Sequence, residues 1–140
     1  MWPTLKTATS PAFARRLIRQ GMAPYYRRHR LRWNEAGFAD SWTRCRNLEL
    51  LLDDAPIGIL RLEFTAEAAY LRDLHLLPEW RNRGLGRTAL RLARTLATEA
   101  GCPLLRLKVF ADNPAVRLYQ NAGFALVRAE PPLLCLEAAL

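Results

Sequence analysis

Three arginines and two glycines fall within seven residues, in the run Arg81-Asn82-Arg83-Gly84-Leu85-Gly86-Arg87. These residue types at this spacing suit a phosphate. Glycine removes the side chain that would keep a ligand from the backbone, and the first turn of a helix offers unpaired N–H groups at the positive end of its dipole. Arg81, Arg83 and Arg87 add full positive charges, so the expected ligand carries a phosphate or pyrophosphate. Gly84-x-Gly86-x-x-Ala89 also matches a dinucleotide fingerprint. That fingerprint sets its first glycine at the strand end and an acidic residue about 20 residues on. Here Pro78 to Arg83 intervene, and no acidic residue ends the next strand at that offset.

Such a loop needs a strand before it and a helix after it. Ala68–Leu77 is strand-like and runs into Pro78. After the glycines, Leu85, Ala89, Leu92 and Leu96 recur at i, i+4, i+7 and i+11, one apolar helical face that Gly101 closes. Leu105, Leu107 and Val109 alternate with Arg106 and Lys108, which predicts a strand over Leu104–Phe110. Asn113-Pro114 opens a short helix that Gly123 stops. Asn47–Leu52 and Ile57–Phe64 read as a hairpin, and Phe124–Arg128 and Leu133–Glu137 as two closing strands. Nearer the start, Ser10-Pro11 opens a helix over 11–20 that Gly21 ends. A second helix runs from Pro24 to Trp33, with Met22, Tyr25, Tyr26, His29 and Trp33 on its apolar side. The predicted order is ααβββαβαββ, with an extra N-terminal strand as the variant.

The loop Arg81-x-x-Gly84-x-Gly86 resembles the Gln/Arg-x-x-Gly-x-Gly/Ala motif of the GNAT superfamily of acetyl-CoA-dependent N-acetyltransferases. The segment from Asn113-Pro114-Ala115 through Tyr119 to Gly123-Phe124 resembles that family's second cofactor motif. The resemblance spans roughly residues 47–128 in the correct element order. It implies an α/β fold with a mixed, mostly antiparallel sheet flanked by helices, in one domain over 1–140. Residues 1–46 would then wall the acceptor side, 47–128 would bind acetyl-CoA, and 129–140 would add the C-terminal strand.

Roles follow from the resemblance. The backbone around Arg81, Asn82, Arg83, Gly84, Leu85, Gly86, Arg87 and Thr88 would hold the coenzyme A pyrophosphate, with the amides from Arg83 to Thr88 as donors. The strand edge at Leu74 and Leu76 would pair with the pantetheine arm, and the Leu76 N–H would polarise the thioester carbonyl. Asn113 would touch the pantetheine, and Tyr119 would protonate the leaving thiolate. The attacking amine must lose a proton. Asp73 and His75 share a face of a regular strand and could act as a pair, although a bulge would split them. Arg72 stands where some relatives carry glutamate. Glu63 is a third candidate base, and a water-relayed path a fourth. His29 and Trp33 are candidate acceptor-site residues, with Phe38 and Trp42 as core or cleft lining. No metal is expected.

The net charge is +8. Residues 1–46 hold ten Lys/Arg against two Asp/Glu, whereas 47–140 hold eleven of each. Arg27, Arg28, Arg30 and Arg32 read as a solvated helix face. On an acceptor-side wall, such charge would repel polycations and favour a small neutral or acidic amine, free or on a peptide. Nucleic acid is not the expected partner, because the aromatic residues are not interleaved as stacking platforms. Two other functions use the same residues: an acyl-CoA-binding module without a working base, and a basic nucleic-acid adaptor. No apolar run approaches the roughly 20 residues of a bilayer span. Cys45, Cys102 and Cys135 form neither a disulfide framework nor a zinc set. With no apolar leader near Met1, the expectation is a cytoplasmic monomer or homodimer.

Overall fold

The computed structural model describes residues 2–140. In chain order it contains β1 (Thr4–Thr7), α1 (Ala12–Arg28), α2 (Glu35–Arg44), β2 (Arg46–Leu52), β3 (Ala55–Phe64), β4 (Ala69–Leu76), α3 (Leu85–Glu99), β5 (Leu104–Phe110), α4 (Ala115–Asn121), β6 (Ala125–Glu130) and β7 (Leu133–Ala139). The seven strands form one sheet in the order β1-β2-β3-β4-β5-β7-β6. Every neighbouring pair is antiparallel except β4 and β5. The extra N-terminal strand is present and covers the edge at β2.

Alternation along the central strands distributes two cores. Leu60, Leu62, Leu71, Leu105 and Leu107 turn to one face and pack with Leu90, Ala93 and Ala97 of α3 and Tyr119 of α4. Ile59 turns to the other face, against Ala14, Leu17 and Ile18 of α1 and Phe38 of α2. Gly101 and Gly123 both adopt positive φ, 79° and 93°, and end α3 and α4 as the sequence predicts.

The N-terminal third departs from the sequence-based expectation. Gly21 does not stop a helix, and Pro24 does not start one. Both lie inside the single helix α1, which begins where Ser10 Oγ accepts the Ala12 N–H at 3.2 Å. Proline there removes one hydrogen bond, and burial of Ala14, Leu17 and Ile18 keeps the rest of the helix in place. Gly21 serves a close approach instead. A Cβ on it would lie 2.6 Å from Nδ1 of His75 on β4. The second helix, α2, lies further on. Asn34 opens it, its Oδ1 accepting the Gly37 N–H at 2.8 Å.

This packing gives a stability test. Glycine to alanine in an open helical position gains about 1 kcal/mol, but a forced overlap in a packed interface costs about 1–3 kcal/mol. Gly21→Ala should therefore lower the denaturant midpoint, and the same change in a His75→Ala background should raise it. A stabilising Gly21→Ala in the parent chain would show that the imidazole yields freely.

Candidate active site

Strands β4 and β5 pair only through Ala69–Leu105, Tyr70–Arg106 and Leu71–Leu107. Beyond that they part. A bulge sits at the same place: Asp73 faces Arg61 and Leu71 faces Leu62, so Arg72 is an extra residue on β4. The rest of β4 pairs only with β3. The Leu77 N–H donates to the Ile57 carbonyl at 2.8 Å, and Leu76 stands opposite Gly58. Hydrogen-bonded and non-bonded pairs alternate in an antiparallel ladder, so the backbone groups of Leu74 and Leu76 point away from β3 into the gap. The Leu76 carbonyl there accepts from Arg81 Nε at 3.2 Å.

The strand leads into the basic loop. Asn82 and Gly84 both take positive φ, 60° and 80°. These turns leave the N–H groups of residues 83–87 without backbone partners among the described residues at the start of α3. The Thr88 N–H is already bonded to the Gly84 carbonyl at 3.2 Å, so the free donors end one residue earlier than the sequence suggests. The arginines divide: Arg81 is turned back onto the strand end, and Arg83 lies over the Trp80 ring at 5.1 Å. Exposed Gly84 meets nothing where a Cβ would stand. These free amides, beside an unpaired strand edge, fit a pyrophosphate with an amide-bearing arm.

Across the gap, Asn113 Oδ1 accepts the Ala115 N–H at 2.9 Å and starts α4. A groove of about 460 Å³ runs beside it, lined by Asn113, Pro114, Val116, Arg117 and Gln120. Tyr119 is 8% exposed and packs edge-on against Phe124 at 5.8 Å. Burial pushes its phenol up to about 12, and the nearby Asp73 carboxylate adds to the rise. Tyr119 is thus a protonated donor throughout the neutral range.

On the α1/α2 face lies a second cavity of about 250 Å³, lined by Ile18, Tyr26, Arg32, Trp33, Phe38 and Asp73, among others. Arg61 also lines it and is buried at 3% exposure. Its guanidinium donates to Asp73 Oδ2 at 2.7 Å, Asn47 Oδ1 at 2.8 Å and Ser41 Oγ at 2.7 Å. It also lies over the rings of Phe38 and Trp42, at 4.9 and 5.7 Å. Asp73 Oδ1 lies 3.7 Å from His75 Nε2. The bulge therefore falls before the pair and does not split it. Tyr26 has its phenol pushed up by burial and then by Asp73.

The other candidates sit elsewhere. Glu63 is held by Arg72 at 2.9 Å and Arg44 at 3.5 Å and does not line the cavity. Trp33 lines it; His29 does not. The His29 ring stacks on Phe110 at 5.1 Å with Nε2 3.2 Å from Asp112, and Arg28 pairs with the same carboxylate at 2.9 Å. Tyr25 stacks on Phe110 too, at 5.4 Å. The end of α1 is thereby clasped to the end of β5. Sequence reasoning missed Arg61, although an arginine two positions after Ile59 in an apolar run was a visible signal.

Comparison with known proteins bears on this arrangement. A profile described as the acetyltransferase (GNAT) family matches residues 11–124. The [ribosomal protein bS18]-alanine N-acetyltransferase of Salmonella typhimurium is 31% identical over 100 residues, 70% of this chain and 68% of that protein. The thialysine N-epsilon-acetyltransferase of Sus scrofa is 34% identical over 61 residues, 43% of this chain and 36% of that protein. Across the curated relatives it matches, the chain spans from 15% to 68% of their length. The crystal structure of the PaiA N-acetyltransferase of Thermoplasma acidophilum, in complex with coenzyme A, covers 100% of both chains with a TM-score of 0.74 at 20% identity. It shares the fold.

Arg61 supplies one measurable expectation. Removing one partner of a buried pair strands the other charge at a cost of about 3–5 kcal/mol. Arg61→Met should cost that much in urea denaturation, and Arg61→Met/Asp73→Asn should recover part of it. Tyr119 supplies another. Its raised folded value means stability is complete below the ordinary tyrosine value of 10.0 and drains away as pH climbs toward about 12. Tyr119→Phe should make the denaturation midpoint fall less steeply over that window than in the parent chain.

Proposed function

The chain belongs to the GNAT acetyltransferase family, and on that footing we propose that it moves the acetyl group of acetyl-CoA onto a primary amine by direct attack of the amine nitrogen on the thioester carbonyl carbon. One observation carries this reading: the free edge of β4 at Leu74 and Leu76 runs straight into the unpaired amides of residues 83–87. Acetyl-CoA supplies an acyl group already activated as a thioester. The loop amides hold its pyrophosphate, with Arg83 and Arg87 adding charge. The Leu74 backbone pairs with the pantetheine arm, and the Leu76 N–H donates to the thioester carbonyl.

The acceptor enters from the α1/α2 side, where Asp73 lines the cavity. Asp73 takes the proton of the incoming ammonium, directly or through water, and His75 at 3.7 Å shares it. The new N–C bond forms as the C–S bond breaks. Tyr119 then gives its proton to the departing sulfur. Its high pKa keeps it protonated before that moment. The acceptor is small and neutral or acidic, in keeping with the arginines beside the cavity. The paired state of Glu63 argues against it as base.

Replacing a general acid or base costs about 10²-fold or more in rate. Tyr119→Phe should lower kcat by that order while calorimetric binding of acetyl-CoA is unchanged; undiminished turnover would remove the phenol as the acid. Asp73→Asn and His75→Gln should each lower kcat, and together no further than the worse single change. Glu63→Gln should leave it in place. Spermine-like polycations should be slower acceptors than neutral or acidic amines, and the reverse order would overturn that part.

A further inference from the structure

We infer that the acceptor is a free α-amino acid with an apolar or aromatic side chain, its ammonium on Asp73 and its carboxylate on Arg32. This rests on the acetyltransferase reading above and names the substrate class of the same site.

Several polar groups of the cavity are already engaged. Asn34 Oδ1 accepts the Gly37 N–H at 2.8 Å. The Ser41 hydroxyl donates to the Phe38 carbonyl at 2.9 Å and accepts from Arg61 at 2.7 Å. The Trp33 Nε1–H donates to Glu35 at 2.5 Å, and Arg19 stacks over its ring at 5.3 Å. Arg61 has three acceptors. Two charged groups keep unused capacity. Asp73 has Oδ1, which lies 3.7 Å from His75 Nε2, while Oδ2 takes the Arg61 bond. Arg32 lines the cavity from an exposed position, and among the described residues no carboxylate pairs with it. The covered group is negative and the exposed group is positive. Ile18, Trp33, Phe38 and the ring of Tyr26 line the same cavity and make its lining largely apolar and aromatic.

A zwitterion with an apolar side chain matches all three features. Its ammonium lies inward, toward the donor gap, where it must react. Its carboxylate lies at the guanidinium, whose planar fork suits a carboxylate. A diamine would set its second cation against Arg32 and Arg19. A peptide amine would offer a neutral carbonyl in place of the carboxylate. The cavity, about 250 Å³, is smaller than the roughly 300–1,000 Å³ of drug-sized sites, which suits an amino acid.

The test compares L-phenylalanine and L-leucine with L-phenylalaninamide, phenethylamine and a phenylalanyl dipeptide by thiol release at saturating acetyl-CoA. The amino acids should exceed the amide and the amine in kcat/KM by about tenfold or more, the size of one charge-assisted contact. Arg32→Gln should collapse that ratio, and Arg32→Lys should keep part of it. An amide, amine or dipeptide equal to phenylalanine, no turnover of either amino acid, or a ratio unmoved in Arg32→Gln would each overturn the inference. Calorimetry with acetyl-CoA separates the two readings. A chain that binds it yet fails the comparison loses only this inference; a chain that does not bind it loses both.

Discussion

Beyond Leu71, β4 has a neighbour on one side only, and the site is organised around that gap. A strand in the middle of a sheet with no partner leaves backbone donors and acceptors to be met by something else. The molecule answers in pieces. Arg81 reaches back to the Leu76 carbonyl. The end of α1 reaches over to β5 and stacks Tyr25 and His29 on Phe110, with Asp112 holding Arg28 and His29. What remains open, the Leu74 backbone and the Leu76 N–H, leads directly to the free amides before α3. On the proposed reading, an extended, amide-bearing ligand would complete the sheet where the protein does not.

The same parting explains a charge in the core. The extra residue at Arg72 resets the register so that Asp73 stands opposite Arg61. Asp73 and His75 then occupy the α1/α2 face at the edge of the gap. A carboxylate there, largely covered by two helices, needs a counter-ion, and Arg61 supplies it from the adjacent strand. Its own burial is met by three acceptors and two aromatic faces. Gly21 completes this packing by letting α1 come down onto His75. Carboxylate, imidazole, guanidinium and helix notch depend on one another, so their effects on stability and on rate will be coupled.

Legibility in the sequence followed the range of the interactions. Residues 47–128 could be read because local signals agree there: alternation in β5, the apolar stripe of α3, and glycines at positive φ after α3 and α4. The N-terminal third misled because Gly21 and Pro24 are usual breakers, and here their meaning is tertiary. Glycine at 21 is required by a histidine more than fifty residues later. By helical spacing His29 reads as a packing residue, or as an acceptor-site candidate if a helix runs to Trp33, but the helix ends at Arg28, leaving His29 at its C-cap with the ring stacked on Phe110. The Arg61–Asp73 pair depends on a bulge, and nothing local in Arg72 announces one.

The excess of cations in residues 1–46 is less of a field than its count suggests. Arg15 pairs with Glu35, Arg28 with Asp112, and Arg44 with Asp40 and Glu63. At physiological salt, exposed charges are screened over about 8 Å, so cations remote from the cavity contribute little inside it. Those that touch its wall are Arg32 directly, Arg19 through Trp33, and Arg15, itself paired with Glu35, through Phe38. Their position bears on chemistry as well as selection. A nearby like charge disfavours the protonated form of an amine, and only the neutral amine can attack a carbonyl carbon. On the proposed reading, arginines that would discourage a polycation from entering would also make a bound ammonium easier to deprotonate, while Asp73, partly neutralised by Arg61, would hold that ammonium less firmly than a lone carboxylate. Acceptor choice and acceptor activation would then be two consequences of one local arrangement of charge.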